Sequence, residues 1–243
     1  MNDKLKSVLM AGIKKKEIVL TNGQRITIRP VRVKELKMIT QSQENKTDSL
    51  DLLTNVIRSC ITEGKVDLNT LPMFEIERLY FEIWKLDRTE TNIKISFVCK
   101  NEIDGKECGT DIIVEQSIHT ATLSREPEPF VKLNNEVSVK MRYPNMTELA
   151  YFDINNESDL FDLSWRLVEE VHFRDQIMKV GTDIKAEELL ELNEYLSAED
   201  VKRMLDFVNA MPRLVMDVAV KCPCCKNYEA IRLKGLDEII YAE

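Results

Sequence analysis

Phe97-Val98-Cys99-Lys100-Asn101-Glu102-Ile103-Asp104-Gly105-Lys106-Glu107-Cys108-Gly109 is one half of the pattern that decides the fold. Lys221-Cys222-Pro223-Cys224-Cys225-Lys226-Asn227, more than a hundred residues later, is the other. Each half lies between two strand-like runs. Two hairpins that each present thiolates at a turn are the parts of a zinc ribbon. Zinc takes four soft or borderline donors in a tetrahedron, and Cys99, Cys108, Cys222 and Cys225 supply four sulfurs. Cys222 and Cys225 have the two-residue spacing that lets one tight turn offer both thiolates, with Pro223 setting that turn. Cys99 and Cys108 have eight residues between them, so the insert must form a bulge that leaves both at a hairpin neck. Asp104-Gly105 is the turn dipeptide for it.

Cys224 is left over, because adjacent cysteines do not chelate one ion easily. A set of free, structural cysteines is the other reading of the pattern. A four-thiolate zinc is anionic, and Lys100, Lys106, Lys221 and Lys226 flank the ligands. A catalytic zinc keeps an open position and favours His or carboxylate ligands. Here four thiolates close the shell, and neither His119 nor His172 sits in an HExxH motif. The expected metal is therefore structural Zn2+, with no catalytic residue and no other cofactor.

The chain has 243 residues, 44% hydrophobic and 31% charged, which suits a globular protein of one large or two small domains. No apolar run approaches membrane-spanning length, and residues 1–16 lack a signal-peptide pattern, so no membrane association is expected. A reducing cytoplasm is the expected compartment, where spaced cysteines favour metal over disulfide. A net charge of −8 disfavours nucleic-acid binding. Lys4, Lys6, Lys14, Lys15 and Lys16 form a local basic cluster that reads as a solvated face. No phosphate loop, dinucleotide fingerprint or nucleophile elbow occurs.

Residues 3–15 carry Leu5, Val8, Leu9 and Ile13 at helical spacing. Glu17–Leu20 and Arg25–Ile28 flank Asn22-Gly23, a strong hairpin signal. Helices are predicted over Val33–Gln43, Asp48–Thr62 and Pro72–Leu86. Cys60 reads as a small buried hydrophobe on the second, and Tyr80, Phe81 and Trp84 as core on the third. Asn92–Cys99, Thr110–Glu115 and Val137–Arg142 read as strands, and Thr122–Leu133, with Pro127 and Pro129, as a loop. Later helices are predicted near Met146–Phe152, over Leu160–Lys179 with Gly181 at its end, over Ala186–Leu196, and from the capping box at Ser197–Asp200 to Asn209. Leu214–Lys221 and Tyr228–Leu233 bracket the second knuckle. The fold class is thus α+β, with mixed helical blocks around small antiparallel β hairpins and a zinc-ribbon-like clasp of four cysteines. Residues 1–16 are an N-terminal amphipathic or flexible segment. Residues 17–243 are one composite domain: 17–91 hairpin plus helices, 92–145 first zinc hairpin and strand, 146–212 helical block, 213–243 second zinc hairpin and tail.

The ordered set of elements resembles the baseplate hub assembly proteins of T4-like bacteriophages. The resemblance runs through Leu20–Pro30, Val33–Lys37, Asn69–Glu77, the cysteine hairpin at 97–109, Met141-Arg142-Tyr143-Pro144, and Met211-Pro212-Arg213-Leu214 leading into Cys222-Pro223-Cys224-Cys225. The Cys99–Cys108 insert and Cys224 depart from a plain paired-CxxC pattern. The resemblance implies a viral protein made in the host bacterial cytoplasm, with the virion baseplate as a further location. It implies a non-enzymatic, chaperone-like assembly factor or minor component whose partners are other baseplate hub or tail proteins. The alternative is a zinc-ribbon nucleic-acid-binding viral regulator, which the ribbon favours and the acidic charge opposes. Oligomeric state is not legible in the sequence.

Overall fold

A computed structural model describes residues 12–45, 49–126, 128–153 and 155–240. In chain order, strands β1 (Lys16–Val19) and β2 (Arg25–Ile28) form the first hairpin, and helices α1 (Val33–Asn45) and α2 (Ser49–Cys60) follow. Strand β3 (Ile61–Glu63) precedes α3 (Met73–Asp87). Then come β4 (Asn92–Val98), β5 (Glu102–Ile103), β6 (Lys106–Glu107), β7 (Asp111–Ser117), β8 (Thr122–Leu123), β9 (Phe130–Lys132) and β10 (Val137–Met141). Helices α4 (Met146–Tyr151) and α5 (Glu157–Arg166) lead to β11 (Val168–Phe173) and β12 (Gln176–Lys179). Helices α6 (Ala186–Glu191) and α7 (Ala198–Asn209), strands β13 (Leu214–Lys221) and β14 (Tyr228–Lys234), and α8 (Gly235–Ile240) complete the chain. The class is α+β with small antiparallel sheets.

Over the described residues the chain divides into two compact units. The first holds Met1–Val66, Phe74–Arg125 and Arg213–Glu243, and the second Asp67–Met73 and Glu126–Pro212. The second unit is thus largely an insertion in the first. Its stems leave from a paired edge, where Leu123 faces Leu214, Ser124 N donates to Arg213 O at 2.8 Å, and Arg213 N donates to Ser124 Oγ at 3.1 Å.

In the first unit, the Asn22-Gly23 turn closes β1 on β2 as its sequence requires, with Gly23 at φ 82° and Asn22 Oδ1 accepting from Gln24 N. Alternation places Ile18, Ile26 and Ile28 on the buried face, where Val56, Ile57 and Cys60 of α2 are also buried. A fully buried Glu35 sits in the first turn of α1. Its two oxygens accept from Arg29 Nη1 and Nη2 at 3.2 and 3.0 Å, and Oε2 from Arg32 N at 2.9 Å. Arg29 also donates to Ser59 O at 2.7 Å, so one ion pair ties the end of β2 to α1 and to the end of α2. Glu75 does the same job for α3, accepting from Arg78 and from Thr21 N in the first turn.

In the second unit the sheet order is β12-β11-β10-β9, all antiparallel. Val131, Val139, Met141 and Val171 are buried, and Tyr143 stacks on Phe207 of α7 with centroids 4.5 Å apart. The Ser197–Asp200 capping box forms as its spacing predicts.

Several predicted elements change. The helix predicted over Leu160–Lys179 ends at Arg166, and the β11–β12 hairpin follows it. Leu163, Leu167 and Val171 keep helical spacing, but Val168, Val171 and Phe173 are stiff β-branched or aromatic residues that suit a strand. The turn between the two strands uses Arg174 at φ 52°, which carries no glycine signal. Gly181 therefore follows a strand, not a helix. The second helix stops at Cys60, because Ile61 and Glu63 pair with Ile28 and Thr27. The predicted loop Thr122–Leu133 contains β8 and β9, short strands set by pairing with β13 and β10. Of the helix expected over residues 3–15, Gly12–Lys15 is not helical and the rest lies outside the described residues, as does Asp48 at the predicted start of the second helix. In the basic cluster, Lys15 and Lys16 pair with Glu63 and Glu82. Lys4 and Lys6 lie outside the described residues.

Candidate metal centre

Each pair of cysteines stands just past the last rung of a hairpin. Strands β4 and β7 pair along their length from Asn92↔Ser117 to Val98↔Asp111, with Ile93, Ile95 and Ile112 turned into the core. Beyond that rung, Cys99 N donates to Thr110 O at 2.9 Å, Gly109 N to Cys99 O at 3.0 Å, and Cys108 N to Asn101 O at 2.8 Å. The insert is a second, smaller hairpin, β5–β6, whose Asp104-Gly105 turn has φ values of 51° and 76°. Two positive φ values are what a two-residue type I′ turn requires. The wide cysteine spacing is thus absorbed by a nested hairpin with both thiols at its neck.

Strands β13 and β14 pair down to Lys221↔Tyr228, after which Cys222 N donates to Asn227 O at 2.9 Å and Lys226 N to Cys222 O at 3.1 Å. The two halves match in one further detail. The residue after each second cysteine, Gly109 and Lys226, has φ 63°.

The halves meet because β7 lies against β13 and their inward residues share one core. Cys99 and Cys222 are buried in that core, Cys108 and Cys225 half-buried beside it. Cys99 Sγ is 3.6 Å from Cys225 Sγ, Cys108 Sγ is 3.8 Å from Cys222 Sγ, and all four sulfurs fall within 4.8 Å of one another. A disulfide would need about 2.05 Å. A tetrahedron of sulfurs at about 2.3 Å from zinc has edges of about 3.8 Å. The cluster therefore fits a tetrahedral metal, and it holds the four cysteines the spacing singles out.

Polar hydrogens are aimed at these sulfurs. The backbone N–H of Asn101 serves Cys99, that of Thr110 serves Cys108, and those of Cys224 and Cys225 serve Cys222. Thr110 Oγ1 adds a contact to Cys108 at 3.2 Å. Thr110, mainly through its hydroxyl, pulls the Cys108 thiol down to about 6 against the cost of burial, with help from Cys222 and Cys225. At Cys99 the Asn101 N–H also favours the thiolate, but burial and the three neighbouring sulfurs outweigh it and push the thiol up to about 12. Cys222 is lowered: burial opposes ionisation there, and the two N–H groups and the adjacent sulfurs overcome it. Several thiolates this close repel one another, so full ionisation calls for a cation among them.

The other candidates stand apart. Cys224 is exposed, and Cys60 is buried in α2, where burial raises its thiol to about 11. His119 is exposed in a short 3₁₀ turn, Ile118–Thr120. His172 lies on β11, not on a helix, and contacts Glu170 at 2.9 Å. Sequence reasoning missed the Thr110 hydroxyl and the buried Glu35 and Glu75. Thr110 was findable as the residue two past a ligand, where a knuckle places its donors.

A family model described as T4 bacteriophage base plate protein matches residues 10–240. No curated protein and no solved structure matches the chain. Since the family match takes in both cysteine hairpins and almost everything before, between and after them, the chain belongs to the T4 bacteriophage base plate protein family.

Proposed function

We propose that this protein is a non-enzymatic assembly factor or minor component in building the base plate hub of a contractile phage tail, acting by protein–protein contact. The family match over residues 10–240 carries this reading. Its partners are other base plate hub or tail proteins, met in the host bacterial cytoplasm. Co-expression with those proteins tests it. A complex that survives purification supports the reading, and recovery of no hub or tail protein from infected cells contradicts it. Retention on DNA at physiological salt, without hub proteins, would favour the alternative of a nucleic-acid-binding zinc ribbon. Mass spectrometry of purified particles separates a factor that leaves from a component that stays in the virion.

The metal reading is part of the proposal. Cys99, Cys108, Cys222 and Cys225 would hold a structural zinc in a ribbon-like clasp, supported by sulfur separations of 3.6 and 3.8 Å and by N–H groups directed at the sulfurs. When bound, zinc supplies folding energy rather than chemistry, because four thiolates leave it no open position for a substrate. The chain's own residues do the positioning: Gly109 and Lys226 turn the backbone out of each knuckle, and the nested hairpin fixes Cys99 beside Cys108.

A further inference from the structure

Strand β4 leaves one edge open. It bonds to β7 and to no other strand. Thr91 O accepts from Ile118 N at 2.8 Å and Cys99 N donates to Thr110 O at 2.9 Å, so the rungs that join the two strands fall at odd-numbered residues of β4. Bonded and unbonded rungs alternate along an antiparallel pair, and the main-chain groups of Asn92, Lys94, Ser96 and Val98 therefore point away from β7. None of these N–H and C=O groups has a hydrogen-bond partner among the described residues. A groove of about 770 Å³ lies against the same strand, lined in part by Asn92, Lys94, Ser96 and Ile113.

Free strand edges invite pairing with another chain, and folded proteins usually blunt them. Other edges of this chain carry such a block. Val19 O on β1 accepts from Arg78 at 2.9 Å, and Lys132 O on β9 from Arg203 at 3.5 Å. Lys234 N at the end of β14 donates to Glu238 at 2.8 Å, and β12 is only four residues long. Strand β4 runs for seven residues in unbroken register, with no proline and no side chain bonded to its edge. Val98 and Ile113, on the outward face of the β4–β7 hairpin, are 56% and 68% exposed.

The open edge is complementary to itself. When two copies of β4 run antiparallel with Lys94 opposite Ser96, Asn92 falls opposite Val98 and Glu90 opposite Lys100, and two-fold symmetry makes each contact twice. Glu90 and Lys100 are exposed and have no ion pair among the described residues. A slip of two residues one way sets Lys94 against Lys94. A slip the other way sets Lys94 against Val98 and takes Glu90 off Lys100. Opposite charges across a strand pair stabilise it and like charges oppose it, so the charges select the first register.

We propose that two copies of this chain join edge to edge through β4 in that register, forming a four-stranded sheet in which Glu90 of each copy meets Lys100 of the other. The pairing consumes both open edges, so it stops at a dimer. Sedimentation equilibrium of the full chain over a range of concentrations should show a concentration-dependent dimer. Ser96→Pro removes an edge N–H that the single chain does not use, and it should weaken the dimer about tenfold or more while circular dichroism stays unchanged. Glu90→Lys and Lys100→Glu each bring like charges together, and each should weaken self-association about fivefold. An equimolar mixture of those two variants should recover the native affinity, because a mixed pair sets opposite charges at both contacts. That arm holds whether or not Ser96→Pro folds. A chain that stays monomeric up to about 100 μM, a dimer that survives in folded Ser96→Pro, or a mixture that associates no better than either variant alone overturns the proposal. A monomeric chain whose capture of base plate proteins is lost in Ser96→Pro would give the edge to a foreign strand, and that too overturns the second copy as occupant.

Discussion

Cys108 Sγ lies 3.8 Å from Cys222 Sγ although 114 residues of chain separate the two. That contact closes a loop containing nearly all of the second unit, and it is made inside the first. Closing so long a loop costs chain entropy, which grows slowly with length, and a metal bond among preformed hairpins is well able to offset it. All four clustered cysteines therefore belong to the first unit.

Substituting any one ligand should uncouple the two hairpins. Structural zinc contributes about 10 kcal/mol in zinc-finger peptides. Cys108→Ser is thus expected to cost about 5 kcal/mol or more, comparable to the whole stability of a domain. Cys224→Ser should stay within about 0.5 kcal/mol, because its side chain is exposed and outside the cluster. Denaturant unfolding of both variants, with and without added zinc, checks the contrast.

The two residues that leave the knuckles should respond in opposite directions. Gly109 and Lys226 share φ 63°, but only glycine adopts it freely. A side chain at Gly109 meets only Glu107 O at 4.0 Å, so the cost of Gly109→Ala is conformational, about 1 kcal/mol. Lys226→Gly relieves the same penalty and should be neutral or stabilising by up to about 1 kcal/mol, less the Lys226 Nζ bond to Pro223 O. Thermal unfolding of the zinc-loaded variants measures both.

Acid should loosen the first unit through Glu35. Burial alone raises this carboxyl, but the Arg29 guanidinium and the Arg32 N–H outweigh it and hold the group below the ordinary carboxylate range. A folded pKa below the unfolded one means that the stabilisation is complete above about pH 4.3 and is lost as pH falls through the folded value. Glu35→Ala leaves Arg29 buried without its partner, and it should cost about 3–5 kcal/mol at neutral pH. It should also flatten the acid side of the stability profile. An unchanged slope below about pH 4 in the variant would speak against this pair as the acid-sensitive element.

Thiol chemistry should sort the cysteines into three groups. Exposed Cys224 should react with a maleimide reagent first. Cys60 should react only on unfolding, since it is fully buried and its thiol is raised to about 11. The four clustered thiols should become reactive together when a chelator is added. Mass spectrometry of timed, labelled samples gives the order.

The first hairpin and the two cysteine hairpins are legible in the sequence because their signals are local: Asn22-Gly23, Asp104-Gly105 and the Cys222–Cys225 spacing each specify a turn without help from the rest of the chain. The Ser197–Asp200 cap is readable for the same reason. The strands β3, β8 and β9 are not, since they are too short for a period and exist only through pairing with β2, β13 and β10. Residues 168–179 read as helix because Leu163, Leu167 and Val171 satisfy a helical period, while their β-branched neighbours satisfy the strand that forms. Glu35 and Glu75 look like solvent-facing charges in the sequence. Only the fold brings Arg29 and Thr21 to them.

The metal content of the full chain, purified without added zinc and measured beside a count of free thiols, tests the central claim most directly. The account predicts one zinc per chain, protected clustered thiols, and release of the metal with loss of folded structure in the first unit under a chelator. A metal-free chain that is folded, with all four clustered thiols reactive, would contradict it.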